Sequence, residues 1–459
     1  MSHDLIVVGG GPAGYVAAIR AAQLGKKAVC VEKERAGGTC LNWGCIPTKS
    51  LLRNAELYSL LTHHAGEFGL SFDNLSFDWG KVISRSRDVA DKNAAGIEFL
   101  FKKNKVDYIR AEATIDKAGA VTAKAGDGKT ETLAAPRIMV STGVTSRALP
   151  GLPFNGKTVI GSREAMVVQS QPKSMIIIGA GAIGIEFAYF FNSFGTKVTV
   201  VEMMPNILPV EDTEISQTLE KSLSKQGIRI LTNTKTTKTE AGEGGVKITV
   251  EGKTTETLEA EVCLVAIGVQ PVLPGGKLKL EVTERGYIKT DENYQTSTPG
   301  IFATGDIIGP PWLAHVASWE AIQAVNGMYG AGKPKKVTVF PGCTYCQPQV
   351  ASVGLTERAA KEKGLAYKVG KFPYMASGKA RAAGETEGFV KLIIGEPHGE
   401  ILGAHIIGAE ATELIAELGL AITLEATHEE IDATIHAHPT LSEMVHEASE
   451  QAYGHAIHI

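Results

Sequence analysis

The chain lacks most of what would place it in a membrane, on a nucleic acid or outside the cell. No apolar run is long enough to cross a bilayer: the most hydrophobic stretch, 175–191, is interrupted by three glycines and by Glu186. Charge of one sign is not in excess. With 46 basic and 50 acidic residues the net charge is −4, which gives no electrostatic case for nucleic acid or an anionic membrane as partner. Six cysteines in 459 residues are too few for a secreted disulfide framework. No basic segment and no cleavage site precede the first apolar strand, so a cytoplasmic, reducing compartment is expected. A matrix enzyme stripped of its transit peptide reads the same way. Low-complexity segments and long linkers are absent too. What is abundant is glycine, 51 residues, which suggests many tight turns and close backbone approaches. A chain of 459 residues exceeds one ordinary core and has room for roughly three or four domains.

Part of that glycine is organised as an internal repeat. The segment LIVVGGGPAG, with Gly9, Gly11 and Gly14, recurs in kind as MIIIGAGAIG, with Gly179, Gly181 and Gly184. Each copy is a short β-type apolar run, a G-x-G-x-x-G turn and an Ala-rich helical stretch. Each continues into a second strand that ends in an acid, Glu32 or Glu202, in both cases 23 positions after the first glycine. In such a turn the first glycine reverses the chain, the second lets backbone approach a pyrophosphate, and the third lets helix and strand pack closely. The phosphate then lies at the positive end of the helix, and the terminal acid accepts ribose hydroxyls. An acid there repels a 2′-phosphate, so the site with Glu202 should prefer NAD over NADP. A single such turn is weak evidence. Two matched copies imply two dinucleotides, and FAD in one with NAD in the other fits a hydride-transfer enzyme.

Two further strand-then-glycine marks end at Gly143 and Gly268 and suit crossovers between domains. Boundaries are expected near 143, 268 and 338, giving domains 1–143, 144–268, 269–338 and 339–459. In the last of these, strands at 388–394 and 400–407 alternate with helices at 412–424 and 441–453, the pattern of an α+β domain.

Just beyond the first repeat comes GGTCLNWGCIPTK, residues 37–49, with Cys40, Cys45 and Lys49. In a regular helix two cysteines five apart lie too far from each other to bridge, so the backbone near Gly44 must deform. A disulfide over so small a loop adds little stability and is readily reduced, as a catalytic bridge should be. Lys49 shares a helical face with Cys45 and would favour a thiolate or a reduced, anionic flavin. Two buried structural cysteines are the plainer alternative.

The segment 37–49 resembles the active-site segment of the pyridine nucleotide–disulfide oxidoreductases, and the resemblance extends over the whole chain. It implies an α/β architecture of two Rossmann-like domains, FAD-binding then NAD-binding, followed by a central domain that completes the FAD site and a C-terminal α+β dimerisation domain. It implies that Cys40 and Cys45 form the redox-active disulfide, Cys40 exchanging with substrate and Cys45 touching the flavin. Asp306, in IFATGD, matches the family's ligand to the flavin ribityl chain, although a glycine–aspartate pair after a strand is also an ordinary turn into the following helix, where Ala314 is assigned to the cofactor site. Glu186 matches a glutamate that pairs with the lysine beside the flavin, here Lys49. An acid in so apolar a segment needs a cationic partner.

The tail after Thr427 holds six of the twelve histidines and no Lys or Arg. Thiol exchange needs a base near neutral pH, and Pro439 keeps His438 out of a helix. The resemblance assigns His438 as that base, acting on the cysteines of a partner subunit in an obligate homodimer. Glu443 either orients its imidazole or closes a capping box with Thr440, and the two roles are compatible. His436, His446, His455 and His458 form no metal-ligand pattern and are expected to be solvated or at an interface. The CTYC motif at Cys343 and Cys346 lies in an apparent strand, where positions three apart face opposite sides, and reads as structural.

Within the family, Glu202-Met203-Met204-Pro205 stands where glutathione and trypanothione reductases carry basic residues for NADPH. The C-terminus lacks the cysteine pair of mercuric and large thioredoxin reductases. The motif HAHPT and the NAD-type acid resemble the branch that oxidises dihydrolipoamide, whose partners are the lipoyl domains of 2-oxo acid dehydrogenase complexes or the carrier protein of glycine cleavage. Val269, where relatives often carry arginine, and the Ser141–Val144 stretch depart from the common pattern without touching the chemistry. A non-catalytic flavoprotein sensor would keep both glycine turns but would not need Cys40, Cys45 and His438 together.

Overall fold

The structure, a computed structural model, describes residues 3–459. The chain separates into two compact units, one built from the chain up to Leu51, Asp78–Arg147 and Gly268–Thr338, the other from Leu52–Phe77, Ala148–Ile267 and Val339–Ile459. The chain passes between the units at 51/52, 77/78, 147/148, 267/268 and 338/339, so neither unit is one continuous segment.

In the first unit five parallel strands run in the order Ile301–Ala303, Arg137–Val140, Leu5–Val8, Ala28–Glu32, Asp107–Lys117. The last of these pairs antiparallel with Ala120–Ala125, and that with Thr130–Ala134. Leu5–Val8 is buried along its whole length, as a strand covered on both faces must be. Its residues alternate. Leu5 and Val7 face a core built from helices Pro12–Gln23 and Ala314–Met328, which meet through Ala13, Ala17, Ala317 and Ala321. Ile6 and Val8 face a second core with Ile115, Val121 and Leu133. The alanines have so little side chain that the two helices approach closely over the sheet.

The second unit repeats the scheme with five parallel strands in the order Arg229–Leu231, Lys197–Val201, Ser174–Ile178, Val262–Val265, Val159–Ile160. A three-stranded antiparallel sheet, Lys235–Gly242, Gly245–Glu251 and Thr255–Ala260, follows the same register logic with one face wet. The C-terminal part is a five-stranded antiparallel sheet in the order Gly342–Thr344, Gln349–Gly354, Ile401–Gly408, Phe389–Gly395, Tyr367–Pro373. Val390, Leu392, Ala404 and Ile406 bury one of its faces beneath helices Ala411–Thr423 and Glu443–Gln451.

The other face of that sheet is polar. Ser352, His405, Lys391 and Lys371 stand side by side in successive strands, a cross-strand ladder. Onto it docks the start of helix Thr213–Lys225, whose N-cap is Asp212. Lys391 Nζ lies 3.0 Å from Asp212, 3.3 Å from Glu214 and 2.7 Å from Glu357, and its side chain is only 3% exposed. Lys371 pairs with Glu214 beside it. So buried an ammonium is tolerated because all its charge is answered by carboxylates.

Among the described residues no helix is long and apolar enough to cross a membrane.

Candidate active site

Both glycine turns take the conformation their spacing predicts. Gly9 has φ +101°, and a Cβ there would stand 2.3 Å from the carbonyl oxygen of Ser141. A Cβ on Gly14 would stand 1.8 Å from the oxygen of Gly9, so neither position admits a side chain. The second turn repeats this closely: Gly179 has φ +102° and lies against the Ala266 oxygen, and a Cβ on Gly184 would be 2.0 Å from the Gly179 oxygen. The stretches ending in Gly143 and Gly268 are therefore more than crossovers, because Ser141 and Ala266 in them form the wall behind each first glycine. The middle glycines face open space. A Cβ on Gly181 would meet nothing within 4 Å, and on Gly11 only the Cα of Gly38 at 3.8 Å.

The two acids are fixed to these turns. Glu32 accepts hydrogen bonds from the N–H groups of Gly10 (2.7 Å) and Glu34 (2.8 Å). Glu202 accepts from Ala180 (2.7 Å) and Met204 (2.8 Å). Both carboxylates are buried, and each oxygen retains a lone pair for a further donor. Open space before the middle glycine, unpaired N–H groups at a helix start and a buried acid with spare acceptor capacity are what a dinucleotide requires, so the residues present fit one at each turn. Met203 and Met204 after Glu202 are exposed and uncharged.

The cysteine segment is built onto the first turn. Gly38 has φ +56°, and a Cβ on it would lie 2.5 Å from the Cα of Gly11, so the helix Gly38–Trp43 starts in contact with the phosphate-type turn. Asn42 steadies it by donating to the carbonyls of Ala36 and Gly38, both at 3.0 Å. The helix stops at Gly44 (φ −150°, ψ −120°) and a new one, Cys45–Ser59, begins at Cys45. This break is the deformation that two cysteines five apart need, and it brings the side chains together. A hydrogen bond to Cys45, then burial and the neighbouring Cys45 charge, push the Cys40 thiol well above its usual range, while Lys49 pulls the other way. Tyr15, raised mainly by burial and then by Cys40, is a further neighbour.

Asp306 opens a short 3₁₀ turn, Asp306–Ile308, after strand Ile301–Ala303, and burial pushes its carboxyl up to about 6. Beneath the turn lies a residue not singled out by the sequence: Glu320, buried in helix Ala314–Met328, accepts from the N–H of Gly305 at 2.8 Å, and burial lifts its pKa to about 7. An acid on the buried face of an alanine-rich helix was its only sign. Ala314 is the first residue of that helix. Lys49 belongs to the first unit and Glu186 to the second. Glu186 is buried and accepts from the N–H of Tyr345 at 3.0 Å.

His438 lies in the irregular segment between helices His428–Ala433 and Glu443–Gln451, its side chain 80% exposed. Its Nδ1 is 2.8 Å from Glu443 Oε1, while Glu443 Oε2 accepts from the N–H of Thr440 at 2.8 Å. Burial raises the Glu443 pKa, but the Thr440 N–H and His438 outweigh it and hold the carboxyl below its usual range. The expected capping box is only half formed. Glu443 reaches back to Thr440, but the Thr440 hydroxyl donates to the Ala437 carbonyl instead of capping a helix that starts only at Glu443, after Ser442. Of the two settings expected for His436, solvent does not apply, since its side chain is 7% exposed and lies 2.7 Å from Glu417. In the CTYC motif only Cys343 and Thr344 are in the strand, and the buried Cys346 sits against the Pro348 carbonyl.

The comparisons agree along the chain. Residues 3–321 match the model of the pyridine nucleotide-disulphide oxidoreductases, and 340–449 the dimerisation domain of the same family. A dihydrolipoyl dehydrogenase of Chlorobaculum parvum is 47% identical over 97% of this chain and 96% of its own, and one from Bacillus subtilis is 44% identical over 99% of both. The crystal structure of LpdA from Mycobacterium tuberculosis superposes with a TM-score of 0.89 at 25% identity, covering 97% of this chain and 99% of that one. On the strength of both its halves, the chain belongs to the pyridine nucleotide-disulphide oxidoreductases.

Proposed function

We propose that this chain catalyses the FAD-dependent oxidation of protein-bound dihydrolipoamide to lipoamide, with reduction of NAD⁺ to NADH. The observation that carries the reading is the cysteine pair, brought together by the break at Gly44 on a helix seated against the first glycine turn. Full-length relatives of 41–47% identity that are dihydrolipoyl dehydrogenases support the choice of substrate.

FAD is assigned to the first turn, with Gly9, Gly11 and Gly14 at the pyrophosphate, Glu32 at the ribose, and Lys49, Gly143, Asp306 and Ala314 along the remainder. NAD⁺ is assigned to Gly179, Gly181 and Gly184 with Glu202, flanked by Glu186 and Gly268. The charge of Glu202 and the two methionines after it favour NAD⁺ over NADP⁺. When bound, FAD supplies the two-electron relay between the cysteines and the nicotinamide.

The protein's own part is thiol chemistry. A carboxylate only accepts, so His438 Nδ1 carries the proton it shares with Glu443, which leaves Nε2 as the base. His438 of one subunit takes the proton from a dihydrolipoamide thiol, and the thiolate attacks Cys40 Sγ. The Cys40–Cys45 bond breaks, and Cys45 leaves as the thiolate that its helix start favours. The second substrate thiol then attacks the sulfur joined to Cys40. Its proton is carried to Cys40 as lipoamide departs, which leaves Cys40 as the thiol, Cys45 as the thiolate, His438 as the imidazolium and the two electrons on the cysteine pair. Glu443 stabilises the imidazolium that forms between these steps. The dimerisation domain supports supply of His438 by a partner subunit, and lipoyl domains are the substrates presented to it.

Steady-state assays test the reading. Purified FAD-loaded protein should reduce NAD⁺ with dihydrolipoamide and should not oxidise NADPH with glutathione disulfide. Turnover of the second pair without the first would overturn it.

A further inference from the structure

We infer that His436 is a positioning residue for thiol exchange: anchored to Glu417, it fixes the segment that presents His438. The inference rests on the reading of His438 as the base.

Between helices His428–Ala433 and Glu443–Gln451 the chain runs without regular structure, and such a segment cannot aim a side chain unless it is tied down. Its exposures are uneven. Ile435 is 97% exposed and the His438 side chain 80%, yet the His436 side chain between them is 7% exposed. Its Nε2 lies 2.7 Å from Oε1 of Glu417, on helix Ala411–Thr423, which is itself held to the sheet through Ile415 and Leu418. Glu417 can only accept, so His436 Nε2 donates, and the bond ties the loop to a rigid element outside it.

The other end of the loop is tied as well. The Thr440 N–H and His438 Nδ1 both meet Glu443, and the Thr440 hydroxyl donates to the Ala437 carbonyl at 2.7 Å. Two histidine–carboxylate pairs therefore sit two residues apart with opposite exposure. The inner pair, His436–Glu417, holds the segment, and the outer pair, His438–Glu443, stands clear of the packing of its own chain. Were the inner pair lost, Thr440 and Glu443 would remain, but the chain entering His438 would pivot from the exposed Ile435. A base displaced by about an ångström costs one to two orders of magnitude in rate. The ring of His446, 6.2 Å from that of His436, packs beside the pair rather than bonding to it.

The test uses the FAD-loaded dimer. His436→Phe keeps a buried ring but removes the donor, and His436→Gln keeps a donor. His436→Phe should lower kcat for dihydrolipoamide roughly ten- to hundredfold, with KM within about twofold, and leave reduction of the enzyme by NADH unchanged. His436→Gln should recover most of the loss. Glu417→Leu, at a partly exposed position, should reproduce the effect of His436→Phe, and the double variant should be no slower than either single one. His438→Gln is run alongside. If His438→Gln is slow and His436→Phe and Glu417→Leu retain parental kcat, the positioning role is wrong while the base assignment stands. If His438→Gln itself exchanges thiols at the parental rate, both fall. Equal loss in the NADH and dihydrolipoamide reactions, or a dissociated dimer in both variants, would show that His436 only supports the fold.

Discussion

Replacing Lys391 by methionine should destabilise the second unit, and the size of the effect follows from its partners. The substitution keeps the length of the side chain but withdraws the charge that three carboxylates share. Asp212 suffers most, because its side chain is also only 3% exposed. It keeps hydrogen bonds from the N–H groups of Glu214 and Glu357, both at 3.1 Å, so the cost lies at the lower end of that for breaking a buried pair, about 3 kcal/mol. Glu214 and Glu357 are 41% exposed and turn to water, adding together no more than about 1 kcal/mol after solvent screening. All four tryptophans, Trp43, Trp79, Trp312 and Trp319, belong to the first unit, so indole fluorescence does not report the change. Hydrogen exchange of amides in Phe389–Gly395 and Thr213–Lys225 does, and tryptophan fluorescence serves as the control. The pH dependence has a definite sign. The carboxyl of Asp212 is resisted by burial but drawn below its usual range by Lys391, so its contribution is present above about pH 4 and lost as the pH falls through the lowered value. The gap between parent and variant should therefore shrink in acid. A variant within 1 kcal/mol of the parent at pH 7, roughly the value of an exposed pair, would refute the buried-pair reasoning.

Three other outcomes follow from single contacts. Glu211 is buried and its pKa pushed up to about 7, so its charge burdens the fold above pH 7 and not below about 4.5; Glu211→Gln should stabilise by about 3 kcal/mol more at pH 8 than at pH 5, and a pH-independent effect would contradict this. Glu202→Gln removes the charge that repels a 2′-phosphate while keeping an acceptor, so the ratio of kcat/KM for NAD⁺ over NADP⁺ should fall by about tenfold, and an unchanged ratio would move the discrimination elsewhere. Gly184→Ala places a methyl 2.0 Å from the Gly179 oxygen; it should abolish NADH binding and spare FAD content, and Gly14→Ala should do the reverse.

Much of this was legible in the chain because it repeats. Two glycine turns at equal distance from an acid announce two similar sheets, and strands as apolar as LIVV and MIII can only be buried on both faces. The strands at 388–394 and 400–407 are displaced by one residue from Phe389–Gly395 and Ile401–Gly408. Their neighbours were not visible: Tyr367–Pro373 carries Lys368 and Lys371, and the hairpins of 107–134 and 235–260 have one wet face rich in Thr, Lys and Glu. Residues whose meaning depends on a distant partner were hidden for a physical reason. Glu320 and Glu417 look like ordinary helical acids until Gly305 and His436 are seen against them. Lys391 and His405, each alone in an apolar strand, do carry a signal in the sequence, since a buried charged or polar group in such a run requires a partner.

The claim that the cysteine pair and His438 form one catalytic unit across two subunits is tested most directly by mixing two inactive proteins. Cys40→Ser chains retain the base, and His438→Gln chains retain the disulfide. Unfolded together and refolded with FAD, about half the dimers should be mixed. Each mixed dimer has one site with an intact pair and an intact histidine, so roughly a quarter of parental dihydrolipoamide:NAD⁺ activity should return. Activity that stays at background, in a sample shown to contain the mixed dimer, would place His438 at the cysteines of its own chain and contradict the shared site.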